Sequence, residues 1–242
     1  MTVKLDGIDL VVFDKDGTLI EFGSMWGGWA NALVAAIEAE TGQPIAAPLH
    51  AMLGYDPETG TVLAGGGLAA TPMARLRERT FDVLVAAGLL AADAERALET
   101  AWHAPDPVAL ARPVTDLHAL FGGLHAAGRR VAVATSDDRA PTERTLAALG
   151  LTGEIDATVC ADDGLAVKPD PAMVLHLCDA LGVAPGRTAV VGDAPADLQM
   201  ARAAGAGLTI GVLTGVGRRP DLEPLADTVI ASVEELGAES VG

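Results

Sequence analysis

The chain has 242 residues, half of them hydrophobic and 20% charged, a globular composition without the polar excess that marks disorder. Its formal charge of −17 excludes the usual nucleic-acid and anionic-membrane partners, whose affinity comes from Lys and Arg on phosphate. Two cysteines, Cys160 and Cys178, are too few for a disulfide framework, and with no apolar leader and no run of about 18 apolar residues the protein is expected to be cytoplasmic.

The first predicted element is a short apolar strand, Ile8–Phe13 (IDLVVF), which ends at Asp14. From about Gly23 to Ala104 no comparable strand run occurs; Ala, Leu and Glu dominate, and helices are predicted at about Ser24–Glu40, Pro72–Ala87 and Ala92–Trp102. The turn-prone piece YDPETGTVLAGGG separates the first two. Trp26, Trp29, Leu33 and Ile37 share one helical face and read as the core of this insert. Arg75, Arg77 and Arg79 fan over different faces, so at most one or two could reach a cleft. The Pro-containing segment His103–Pro113 leads back to strand-forming sequence.

There, apolar runs recur at Arg130–Ala134, Ala157–Cys160, Thr188–Val191, Leu208–Leu213 and Thr228–Ile230. Between them helices are predicted around Leu117–Leu124, over Thr142–Leu149, after the Asp170–Pro171 cap as far as Gly182, and over Pro195–Ala204. Continuous rather than alternating apolar runs suit strands buried on both faces of a parallel sheet. The pattern reads as a doubly wound, Rossmann-like α/β core, residues 1–20 and 106–242, with an α-helical cap domain inserted at 21–105.

The residues with chemical potential fall at strand ends, where sites form in parallel sheets. VVFDKDGTL places Asp14 at the end of the first strand and Asp16 two residues on, with Gly17-Thr18 permitting a tight turn. Thr135-Ser136 follows RVAVA, offering a hydroxyl and backbone N–H groups to a phosphoryl oxygen. Lys168, in VKPDP, is one of three lysines against thirteen arginines and can follow a phosphoryl group as a point charge. VVGDAPAD places Asp193 at a strand end and Asp197 in the first turn of the next helix. Two like charges 4 Å apart repel by about 4 kcal/mol at an effective dielectric of about 20, so this cluster requires a dication, and Mg2+ matches its oxygen donors. The histidines (His50, His103, His118, His125 and His176) show no ligand spacing, so no second metal site is expected.

This set resembles the haloacid dehalogenase-like hydrolase superfamily, in particular its phosphoglycolate phosphatase-like members with a helical cap. DKDGTL looks like the first motif, Thr135 the second, Lys168 the third and GDAPAD the fourth, in the right order and with the insert between the first two. The resemblance implies that Asp14 is the nucleophile and that Asp16 protonates the leaving oxygen and then activates water. It implies that Thr135, the Ser136 N–H and Lys168 hold the phosphoryl oxygens. Magnesium would be bound by the Asp14 carboxylate, the Asp16 main-chain carbonyl and Asp193, with Asp197 acting through water or behind these ligands. The expected activity is metal-dependent hydrolysis of a small phosphorylated metabolite through an aspartyl-phosphate. Phosphoglycolate is the first candidate, although IEFGSMW lacks the Asp-Ser often found after the first motif in that subgroup.

The alternative is a sugar-phosphate mutase, which shares all four motifs. A dehalogenase would need neither Asp16 nor the metal. A receiver-type signalling module also joins Asp, Thr/Ser, Lys and magnesium, but places its phosphoacceptor after a middle strand and has no cap. Oligomeric state is not readable from the chain.

Overall fold

The computed structural model describes residues 3–63, 65–103 and 110–236. The chain divides into two compact units, residues 1–22 with 111–242, and residues 23–110.

The first unit is built on six parallel strands. Strand β1, Leu10–Phe13, is wholly buried. In the second unit a turn of π-type helix, Gly23–Gly27, runs into helix α1, Gly28–Thr41. Helix α2 (Ala46–Leu53) follows, then a small antiparallel hairpin of β2 (Tyr55–Asp56) and β3 (Thr61–Val62). Helices α3 (Gly67–Ala70), α4 (Met73–Ala86) and α5 (Ala91–Ala101) complete that unit. Trp26, Trp29, Leu33 and Ile37 are buried, as their spacing predicts. Trp29 stands edge-on to both Trp26 and Trp102, with ring centroids 6.0 and 5.3 Å away.

The structure adds three elements to those predicted here: α2, the hairpin and the short α3. Pro48 looks like a breaker in IAAPLHAML, yet it lies in the first turn, where backbone N–H groups have no intrahelical partner to lose. The helix is capped from a distance: Glu38 Oε1 accepts the N–H groups of Ile45 and Ala46 at 2.9 Å each. Most of the segment expected to lead back to the sheet, residues 104–109, lies outside the described residues.

The first unit resumes with helix α6 (Leu117–Ala126) and strand β4 (Arg130–Ala134). Helix α7 spans Arg139–Ala148, three residues earlier than predicted, because Pro141 is again tolerated in a first turn. Then come β5 (Ala157–Val159), α8 (Ala172–Leu181), β6 (Thr188–Gly192), α9 (Pro195–Ala204), β7 (Leu208–Val212), α10 (Arg219–Leu222) and β8 (Thr228–Ile230). Asp170 accepts the Ala172 N–H at 2.9 Å, as expected of the residue opening α8.

The sheet order is β5-β4-β1-β6-β7-β8. Chain order runs outward on one side of β1 and then, from β6, outward on the other, so the reversal falls at the β1/β6 boundary. That is where crevices open beyond the strand ends of such sheets. On one face Leu10, Val12, Ala132, Val190, Val174, Leu177 and Ala201 form a continuous core with α8 and α9. On the other, Phe121 of α6 lies 5.7 Å from Phe13, ring to ring.

Candidate active site

Register brings the strand-end residues together before any side chain is considered. Phe13 pairs with Val133 on one side and Val191 on the other, so Asp14, Thr135 and Asp193 emerge from three adjacent strands within a residue or two of one level. Adjacent strands lie only about 4.8 Å apart. The Asp14 N–H donates to the Val191 carbonyl at 2.9 Å, which fixes the backbone of this position at the sheet edge.

Lys168 reaches across from the loop before α8. Its Nζ lies 2.5 Å from Asp14 Oδ1 and 2.6 Å from Asp197 Oδ1. The second Asp197 oxygen accepts the Ala194 N–H at 3.0 Å, so this carboxylate is held at both ends. Asp193 accepts the Val216 N–H at 2.8 Å. Carboxylate oxygens of Asp14, Asp193 and Asp197 lie within 4.8 Å of one another and can hold a metal ion.

Burial and mutual repulsion perturb Asp14 and Asp193. Burial raises the Asp14 carboxyl most, against the pull of Lys168; Asp197 and Asp16 add to the rise, and the result is about 7. Asp193 is pushed well above the ordinary range, first by burial and then by Asp14 and Asp197. Burial lowers Lys168, but Asp14 and Asp197 outweigh it and hold the ammonium charged. An all-oxygen donor set in which burial drives Asp14 and Asp193 toward protonation fits a hard divalent cation, whose charge would keep those two carboxylates ionised.

The remaining expected residues occupy neighbouring positions. Thr135 is buried, and its Oγ1 accepts the Asp137 N–H at 3.1 Å, which leaves the hydroxyl proton to donate elsewhere. Ser136 follows it, half-buried. The Asp16 carboxylate is drawn toward Lys15, whose Nζ lies 2.6 Å from Asp16 Oδ2 and 3.0 Å from Asp137 Oδ2. Arg75, Arg77 and Arg79 find partners in their own unit, at Glu78, Glu95 and Thr71.

Three participants escape the motif reading. Lys15 and Asp137 form the ion pairs just described. The third is the loop after β7, where Thr214 Oγ1 donates to the Gly17 carbonyl at 2.6 Å while Val216 holds Asp193. The available signals were the rarity of lysine in the chain and the TGVG string following an apolar run.

A family model for haloacid dehalogenase-like hydrolase matches residues 8–205. A phosphoglycolate phosphatase of Rhodospirillum rubrum is 33% identical over 211 residues, covering 87% of this chain and 81% of that protein. One from Aquifex aeolicus is 24% identical over 196 residues, covering 81% of each. Among solved structures, a HAD hydrolase of family IA, variant 3, from Entamoeba histolytica superposes with a TM-score of 0.66 at 18% identity, over 96% of both chains. At that identity the likeness speaks for the fold. Among the described residues no helix is long and apolar enough to cross a membrane.

Proposed function

The chain belongs to the haloacid dehalogenase-like hydrolase family, and from that premise we propose that it is a magnesium-dependent phosphatase acting through an aspartyl-phosphate on Asp14. The observation that carries this reading is the Lys168 ammonium bridging Asp14 and Asp197 beside Asp193: a carboxylate nucleophile, a phosphate-binding cation and an acidic pocket at one sheet edge.

An Asp14 oxygen attacks phosphorus and the ester P–O bond breaks as Asp16 gives its proton to the leaving oxygen. Asp16, now ionised, takes a proton from water whose oxygen attacks the aspartyl-phosphate. The P–O bond to Asp14 breaks, and phosphate leaves. Lys168, the Thr135 hydroxyl and the Ser136 N–H hold the phosphoryl oxygens. Asp14, the Asp16 carbonyl and Asp193 would hold magnesium, with Asp197 acting through Lys168 or water. When bound, the ion supplies positive charge that offsets the carboxylates and the phosphoryl group. The substrate is a small phosphate monoester, and phosphoglycolate is the first candidate because the two relatives described above carry that name.

The test is a panel of small phosphate esters with magnesium and with chelator, on native protein and Asp14→Asn. Metal-dependent phosphate release is expected, lowered by several orders of magnitude in Asp14→Asn because the covalent route is lost. Activity that survives the substitution contradicts the mechanism. Isomerised sugar phosphate in place of free phosphate assigns a mutase.

A further inference from the structure

Lys15 separates the two aspartates of the first motif, and its side chain is wholly buried. An ammonium is costly to bury unless it is paired. Its partners come from two loops: Asp16 follows β1, and Asp137 follows β4, the strand paired with β1. Asp137 is itself fixed, its N–H on Thr135 Oγ1 at 3.1 Å and its carbonyl accepting the Ala161 N–H at 2.9 Å. The loop that carries Asp16 turns tightly, with Leu19 and Ile20 both donating to the Lys15 carbonyl.

We propose that Lys15 is a positioning residue for the acid–base carboxylate: anchored on Asp137, its ammonium grips Asp16 Oδ2 and fixes the direction in which that carboxyl faces the leaving group. This rests on the phosphatase reading given above. A carboxyl on a short side chain rotates readily, and proton transfer demands a heavy-atom approach of about 3 Å. The Lys15–Asp137 pair removes that rotation. It also ties the proton donor to the loop bearing Thr135, so acid and phosphate-binding hydroxyl share one frame.

The experiment compares native protein with Lys15→Met, Lys15→Arg and Asp137→Asn, all in saturating magnesium. Two substrates are used: an alkyl phosphate, whose alkoxide needs a proton to depart, and p-nitrophenyl phosphate, whose phenolate does not. In Lys15→Met, turnover of the alkyl ester is expected to fall about 100-fold, the size of a lost general acid. The pre-steady-state burst of p-nitrophenolate should keep near-native rate and amplitude, because phosphorylation of Asp14 by that ester bypasses Asp16. Lys15→Arg, which keeps a cation between the carboxylates, should recover most of the loss. Asp137→Asn should repeat the Lys15→Met pattern more weakly, and it tests the idea if Lys15→Met does not fold. Equal losses on both esters with a diminished burst mean a structural role only and overturn the proposal, as does a folded Lys15→Met with native kinetics. Native protein that releases phosphate from no ester defeats the phosphatase reading and this assignment with it. Native activity alongside an indifferent Lys15→Met defeats this assignment alone.

Discussion

A methyl group on Gly17 would stand 2.5 Å from Asp193 Oδ2 and 2.8 Å from the Gly215 Cα, and one on Gly215 would stand 2.0 Å from the same carboxylate oxygen. Two glycines from two loops thus form the bed on which Asp193 lies. Gly17 also sits at φ +88°, where a side chain costs about 1–2 kcal/mol. Gly17→Ala is expected to lose at least that much stability in urea denaturation. The magnesium concentration for half-maximal phosphate release should rise about tenfold or more, as when a supporting residue of a metal site is disturbed. The clustered carboxylates Asp14 and Asp193 were legible at this scale because residues at the ends of adjacent parallel strands come out at one edge of the sheet. Lys168 was legible because VKPDP falls in order between the second and fourth motifs, just before a helix start. Lys15 was not, since its role depends on which way a side chain turns inside a loop and on a partner, Asp137, more than a hundred residues away.

Helix α6 is held by two contacts of different character. Phe121 is wholly buried against Phe13, the residue before Asp14, and Phe121→Ala is expected to cost about 3–5 kcal/mol in chemical denaturation. At the same helix's exposed start, His118 Nδ1 meets Glu154 at 2.5 Å and Nε2 meets the Leu149 carbonyl at 3.1 Å. Two acceptors facing both ring nitrogens call for the imidazolium, and the Glu154 hydrogen bond and charge raise its pKa. A histidine raised in the folded state contributes fully below its unfolded value of about 6.5 and loses that contribution as pH rises through the folded value. The melting-temperature gap between native protein and His118→Asn should therefore be wider at pH 6 than at pH 9. Most elements could be read from apolar runs and Gly stops. The exceptions have two causes: α2 takes its cap from Glu38 of the preceding helix, and the hairpin strands, two residues each, and α3, four residues, are too short to show a period.

Across the whole molecule, the acidic pocket sets stability against activity. Asp14 and Asp193 have folded-state values above those of free carboxylates, so the native state holds their protons more tightly than the unfolded chain. Their contribution therefore declines as pH rises from about 4, the unfolded value, toward about 7, the value for Asp14. Metal-free protein should melt lower at pH 7.5 than at pH 5 on this account. Magnesium should reverse the trend, adding about 2.7 kcal/mol at a hundredfold excess over its dissociation constant. Asp193→Asn should raise the metal-free melting temperature at pH 7.5 and abolish the response to magnesium; a lower melting temperature without metal would contradict the argument. The position of β1 has another result. Leu10 pairs with Arg130 and Thr188, so β1 finds both neighbours only after more than a hundred further residues have been made. Pairings so distant in sequence close slowly, and an apolar strand waiting for them is open to association with other chains. The strand that leads into Asp14 is thus made before both of its neighbours, and a chain truncated before Thr188 should leave one edge of that strand unpaired.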